Sequence, residues 1–196
     1  MSTATPQISS RSQRVADRRL AILDAAREVF ASKGYEAASM AEIAARVGIV
    51  EGALYKYFAS KRELLFEATR HFYEPLIERT RQQLAAVRGT RNRLRFVIGR
   101  QLESFVEHPG LCRLIIHEIR PHGDYAQSVV RDLNRESTSL LLQILEEGRQ
   151  EGVLRADLSP AANAESIQRK RSLLADKLGA VIGPEISNYR ITEVRA

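Results

Sequence analysis

Between residues 48 and 65 the sequence reads GIVEGALYKYFASKRELL, which puts two phenols and two ammonium groups within seven residues, at Tyr55, Lys56, Tyr57 and Lys61. A lysine neutralises a phosphate or donates to a guanine edge, and a tyrosine hydroxyl donates to a phosphate oxygen. Together these groups suit recognition of a polyanion such as DNA. On a helical wheel at ~100° per residue, Phe58 falls almost above Leu54, so the pair marks the core direction. Lys56 then points away from the core, Gly52 and Ala53 face outward, and Tyr55 and Tyr57 flank the two sides. Small residues let a helix approach a partner closely. Lys61, in the first turn of the next helix, adds a cation beside free backbone N–H groups, an arrangement that binds anions. Taken alone, LYKYF fits packed aromatics around a solvated lysine equally well.

The surrounding sequence is helical nearly throughout, and the expected fold class is all-α. Ile22, Ala26, Val29 and Phe30 share one face at helical spacing. Gly34 can stop that helix with a positive φ. SMAE opens a second helix, with Ser39 as cap and Glu42 reaching back in a capping box. Met40, Ile43, Ala44 and Val47 form its buried face. Gly48 ends it, and a third short helix is expected over about residues 50–57. SKRE at 60–63 repeats the capping signature and starts a fourth helix carrying Leu64, Leu65, Ala68, Phe72 and Leu76, with Pro75 expected to kink it or remove a hydrogen bond. A short helix, a glycine turn and a second short helix form a helix-turn-helix unit, whose second helix enters the major groove of DNA. Upstream, Arg11, Arg14, Arg18 and Arg19 form a basic run able to track a phosphate backbone or enter a minor groove.

The segment ILDAAREVFASKGYEAASMAEIAARVGIVEGALYKYFASKRELL resembles the N-terminal domain of the TetR family of transcriptional regulators, over about residues 17–66 without a gap. The resemblance implies a three-helix DNA-binding domain on a larger helical effector and dimerisation domain, and repression relieved by a ligand. It implies phosphate contacts from Ser39 and Arg46, a base-facing surface of Gly52, Ala53 and Lys56, and phosphate anchors at Tyr55, Tyr57 and Lys61. One departure stands out. The family's recognition helix usually opens with serine or threonine and then a basic or small residue, whereas here Val50 and Glu51 occupy those places. Valine cannot cap, and Glu51 repels phosphate unless it accepts from a cytosine amino group, which makes it a candidate specificity residue.

Three further amphipathic stretches follow: Leu94 to Phe105, ended near HPG at 108–110; Leu111 to Ile119, ended by Pro121; and Val129 to Leu145, ended near Gly152. In the family the matching helices enclose an apolar cavity, for which Phe72, Tyr73, Phe96, Phe105, Ile116 and Tyr125 are candidate lining residues; each also reads as ordinary packing. The apolar bias implies a small lipophilic effector, as in regulators that sense fatty-acid derivatives or hydrophobic drugs. The expected organisation is a disordered basic arm over 1–13, the helix-turn-helix domain over 14–60, and a helical ligand-binding and dimerisation domain over 61–196.

Composition agrees. The 196 residues are 44% hydrophobic and 28% charged, with a formal net charge of +6. Lys and Arg outnumber Asp and Glu by 11 to 8 over residues 1–70 and by 6 to 3 over 167–196, while residues 71–166 balance at 13 each. A basic excess at the ends points to an anionic partner such as nucleic acid. One cysteine, Cys112, permits no intrachain disulfide, and MSTATPQISSRSQR lacks the apolar region of a signal peptide, so a cytoplasmic protein without a membrane span is expected. HEIRPH at 117–122 has one residue too many for the zinc-binding H-E-x-x-H, and Cys112, His117 and His122 scatter around a helix, so no metal site is expected. No Gly-rich phosphate loop and no nucleophile–base pair tied to a motif is present, so neither catalysis nor a cofactor is expected. The chain ends unusually. RKRSLLADKLGAVIGPEISNYRITEVRA is short and basic, broken by Gly183-Pro184, where the family carries long apolar helices that pair across a two-fold axis. The leading expectation is a homodimeric repressor on an operator in double-stranded DNA. The alternative is a helical module for a small molecule or protein that has lost specific operator binding.

Overall fold

The computed structural model describes residues 10–154. The C-terminal segment with its Gly183-Pro184 break, its expected helix from Ile167 to Ile182 and its strand-like YRITEV lies outside the described residues, as do residues 1–9. Among the described residues there is no strand, in line with the all-α expectation, and no helix is long and apolar enough to cross a membrane.

Helix α1 spans Ser10–Ala37, interrupted at Gly34 (φ 79°, ψ 174°), a backbone state that favours a residue without Cβ. It begins inside the stretch expected as a disordered arm, because Gln13 donates to Asp17 and the helical pattern already runs there. Its inner face, Ile22, Leu23, Ala26, Val29 and Phe30, is fully buried. Helix α2 (Met40–Arg46) starts where Ser39 Oγ accepts the Glu42 N–H at 3.1 Å. Only half of the expected capping box forms, because Glu42 turns instead to Lys33 at 2.8 Å. After Gly48 (φ 67°), α3 (Glu51–Leu54) is shorter than the sequence predicts. Its first residue follows Val50, which makes no side-chain cap bond, and residues 55–57 continue as turns. Leu54 and Phe58 nonetheless anchor the segment, at 0% and 1% exposure.

Helix α4 spans Lys61–Leu84. Ser60 Oγ accepts from Glu63 N–H at 3.0 Å while the Glu63 carboxylate accepts from Ala59 N–H at 2.6 Å, so this terminus is tied from both sides. Pro75 lies within α4 and supplies no N–H to the His71 carbonyl, yet the helix carries on past it. Helices α5 (Thr90–Glu107) and α6 (Pro109–Arg113) follow, then a π turn over Leu114–Ile119, a 3-10 segment over Gly123–Gln127, and α7 (Val129–Gln150).

Two apolar cores result. The first joins α1 to α4 and takes in Leu111, Leu114, Ile115, Ile119 and Val130 from the distal half of the chain. The second packs Leu84 and Val97 against Leu141, Ile144 and Leu145. Side chains of this size contribute ~1.5–3 kcal/mol each when fully buried. The packing core of the N-terminal helices therefore runs into α6 and the π turn, beyond the boundary expected at residue 60.

Candidate functional site

The first candidate surface is the exposed side of α2, α3 and the turn after it. Glu51, Gly52, Tyr55 and Lys56 are exposed, Ala53 is half-buried, and nothing lies within 4 Å of where a Gly52 Cβ would stand. Tyr57 differs, since it packs half-buried against the first core. Ser39 is exposed but already accepts the Glu42 N–H. Arg46 lies along Glu28 at 3.3 Å and Glu42 at 3.8 Å, an exposed pair that exchanges readily for a phosphate. Lys61 folds back: its ammonium donates to the Glu36 carbonyl at 3.2 Å and sits 4.5 Å from the Tyr35 ring centre. It must leave these partners to reach a phosphate.

Half of the upstream basic run is engaged by partners within the fold. Arg18 donates to the Val47 carbonyl at 2.7 Å, satisfying the end of α2. Arg19 pairs with Glu67 at 2.8 Å and covers the Phe58 ring at 4.8 Å. Burial pushes the Glu67 carboxyl up, but hydrogen bonds from Arg19 and Arg70 outweigh it and hold the group below its usual range. These two arginines brace α1 against α2 and α4; Arg14 stays exposed.

The second candidate site is a cavity of about 80 Å³ among α4, α5, the π turn and α7. Tyr73, Phe105 and Ile116 line it as expected. Phe72, Phe96 and Tyr125 do not. Phe72 turns to the first core, where His108 meets it edge-on at 4.6 Å and Arg27 covers it at 5.2 Å. Phe96 packs on the second core, one helical step away from the inward-facing Val97. Tyr125 stands behind the wall: Asn134 donates to its hydroxyl at 3.1 Å and lies 3.5 Å from the hydroxyl of Tyr73.

The lining is less apolar than the sequence suggests. Arg100, Gln101, Ser104, Arg120 and Asn134 all contribute, and among the described residues no acidic side chain does. Gln101 had a signal in the sequence: it stands at the midpoint of the Val97–Gln101–Phe105 row, a polar residue where the helical period calls for an apolar one. Arg120 closes the π turn, its N–H donating back five residues to Ile115 at 3.0 Å. Arg62, beside Lys61, grips this region. Its guanidinium meets Asp124 at 2.7 Å through two nitrogens and donates to the Glu118 carbonyl at 3.1 Å.

Comparison with known proteins agrees with this architecture. Residues 22–68 match the family model described as bacterial regulatory proteins, tetR family, and residues 91–169 match a tetracyclin repressor-like C-terminal domain. The chain is 34% identical over 134 residues to the nucleoid occlusion factor SlmA of Photobacterium profundum, covering 67% of this chain and 68% of that protein. It is 29% identical over 147 residues to the transcriptional repressor KstR2 of Mycobacterium tuberculosis, covering 74% and 72%. The solved structure of FadR from Bacillus subtilis in complex with stearoyl-CoA shares the fold, with TM-score 0.73 at 23% identity over 81% of this chain and 86% of that one.

A helix-turn-helix unit packed on a helical body is the architecture of a DNA-binding transcriptional regulator. The chain belongs to the tetR family of bacterial regulatory proteins.

Proposed function

We propose that this protein is a homodimeric repressor that holds an operator through α2, α3 and the following turn, and releases it when a small lipophilic effector fills the cavity. Lys56 with Gly52 and Ala53 faces the bases, Glu51 selects among them, and Ser39, Arg46, Tyr55, Tyr57 and Lys61 hold the phosphates. Residues 14–60 form the DNA-binding unit and the helices from residue 61 onward the ligand-binding and dimerisation unit. The relatives support this reading: KstR2 is a repressor, and the FadR structure carries stearoyl-CoA.

One observation carries the coupling. Ile115, in the π turn, lines the cavity and also belongs to the core that supports α1 to α4. A π turn is a local distortion that relaxes at modest cost and recurs at functional sites. The present cavity is well below the ~300 Å³ of pockets for drug-sized ligands, so an effector must push its walls apart. Displacing Ile115 then moves residues on which the DNA-binding helices rest.

The second reading, a helical binding module without operator specificity, draws on Glu51 at the exposed start of α3 and on the folded-back Lys61. A footprint on DNA flanking the protein's own gene, at one stated salt concentration, separates the two. A protected two-fold symmetric site supports the repressor reading. Salt-sensitive affinity that is equal for operator and random DNA supports the module instead.

A further inference from the structure

We propose that Tyr35 is a positioning residue for DNA contact: its ring stores the Lys61 ammonium away from the phosphates, and Arg62, on the same ring, ties that store to the π turn and the 3-10 segment. This rests on the reading of Lys61 as a phosphate anchor and adds what holds it back.

Tyr35 follows Gly34, whose positive φ interrupts α1. Its half-buried ring lies against the start of α4, with the Lys61 ammonium 4.5 Å and the Arg62 guanidinium 5.5 Å from the ring centre. Among the described residues no other ring has two cations over it. The Glu36 carbonyl, one residue on, accepts from Lys61 at 3.2 Å and fixes it from a second side. Lys61 is half-buried in consequence, whereas Lys56 stands exposed. A phosphate anchor held in this way is only partly available, and the apparent DNA affinity falls by the fraction of molecules in which it is free.

Arg62 faces the other way. It grips Asp124 through two nitrogens and donates to the Glu118 carbonyl, and a Cβ on Gly34 would stand 3.6 Å from the Glu118 carboxylate. One ring therefore touches both the DNA-side cation and the residue that holds the π turn and the 3-10 segment. While Asp124 neutralises Arg62, two cations can share the ring. An Arg62 without that carboxylate repels the adjacent ammonium and favours its departure to a phosphate. Tyr35 also packs on the first core, 6.0 Å from the Phe30 ring, and a role confined to packing would leave Lys61 unaffected.

The test measures affinity of the full chain for a mixed-sequence DNA duplex at one salt concentration, because a phosphate contact needs no particular operator. The variants are Tyr35→Phe, Tyr35→Leu and Asp124→Asn, each with and without Lys61→Ala, with melting temperatures taken in parallel. On wild type, proton NMR of the Lys61 ε-methylene reads shielding by the ring. The expected result is that Tyr35→Leu binds about two- to fivefold more tightly than wild type, the loss of one exposed cation–π contact. Tyr35→Phe keeps the ring and matches wild type, and Asp124→Asn shifts affinity in the same direction as Tyr35→Leu. Neither gain survives in the Lys61→Ala background. The Lys61 signals lie upfield of those of other lysines in the free protein and lose that shift when duplex is added. The proposal is overturned if those signals are unshifted in the free protein, or if the Tyr35→Leu gain persists without Lys61. It is also overturned if a stably folded Tyr35→Leu binds no more tightly than wild type. Should Tyr35→Leu melt far below wild type, the NMR shift, which needs no variant, decides. Asp124→Asn with wild-type affinity overturns the tie through Arg62. Lys61→Ala that binds the duplex as tightly as wild type overturns the anchor reading itself, whereas a weakened Lys61→Ala with an inert Tyr35→Leu overturns the store alone.

Discussion

The guanidinium of Arg62, at the start of α4, holds the carboxylate of Asp124 at 2.7 Å through both Nε and a terminal nitrogen, across 62 positions of sequence. The same side chain reaches the Glu118 carbonyl and lies 4.6 Å from the Phe66 ring centre. It fastens the start of α4 to the π turn, which lines the cavity, and to the 3-10 segment that follows it.

Removing either partner should uncouple those regions more than it unfolds the protein. Asp124 is half-exposed, so a double-mutant cycle between Arg62→Gln and Asp124→Asn should give a coupling of about 1 kcal/mol. The larger effect should fall on effector response: operator release at saturating effector should be weaker in Arg62→Gln than in wild type. The hydrogen bond from Arg62 holds the Asp124 carboxyl below the usual carboxylate range. A lowered folded value means the stabilisation is complete above the unfolded value of ~4 and is lost as pH falls through the folded one. Acid melting curves of wild type and Asp124→Asn should therefore begin to approach each other as pH falls below about 4.

His108 should give a second acid-sensitive step at higher pH. Burial pushes this imidazole down, against a smaller upward pull from Glu107, and Arg27 adds the least, also downward. Its stabilisation is complete above the unfolded value of ~6.5 and declines as pH falls towards the folded one. Melting temperature measured from pH 7 down to 5 should drop less in His108→Gln than in wild type, after allowing for the lost edge contact with Phe72.

The bare start of α3 offers a gain. Val50 is 75% exposed, in the extended conformation of an N-cap, and makes no cap bond. Val50→Ser should add ~0.5–1 kcal/mol by accepting one of the free N–H groups of the first turn. Ser60→Ala, where the cap already exists, should cost about 1 kcal/mol. Chemical denaturation midpoints that move the same way for both substitutions would rule this out.

Gly110 marks a tight contact between α6 and α1. A Cβ there would stand 2.5 Å from the Ala31 carbonyl oxygen, which is backbone and cannot swing aside. Gly110→Ala should cost ~1–3 kcal/mol. Gly148→Ala meets the side chains of Thr90 and Leu154 rather than backbone, and should cost less. Thermal melts of the two variants side by side check the order.

At the DNA surface, Lys61→Ala should weaken binding to all sequences and reduce the salt slope by about one unit, while Lys56→Ala should also change sequence preference. Titration of specific and random duplexes at several salt concentrations reads both. Equal operator affinity for wild type and Lys61→Ala at matched salt removes Lys61 from the contact set.

Much of this protein is written in local patterns. The apolar rows of α1, α2, α4, α5 and α7, the caps at Ser39 and Ser60, and the positive-φ glycines at 34 and 48 follow from neighbours within about one or two turns of helix. The resemblance over residues 17–66 then gave the family before any coordinates. Sequence alone likewise determined that Gly52 and Lys56 face outward, because Leu54 and Phe58 pin the opposite side; Ala53, expected beside them, is half-buried. What lies beyond a few residues was decided by tertiary packing. The partnership of Arg62 with Asp124, the folding-back of Lys61 onto Glu36, and the recruitment of Arg18 and Arg19 as braces depend on distances that no helical period encodes. The same holds for the cavity: an amphipathic helix buries a whole stripe, and which residues of that stripe meet a void is settled by the neighbours that fail to fill it. Phe72 and Phe96 found close packing, while Gln101 came to line the cavity.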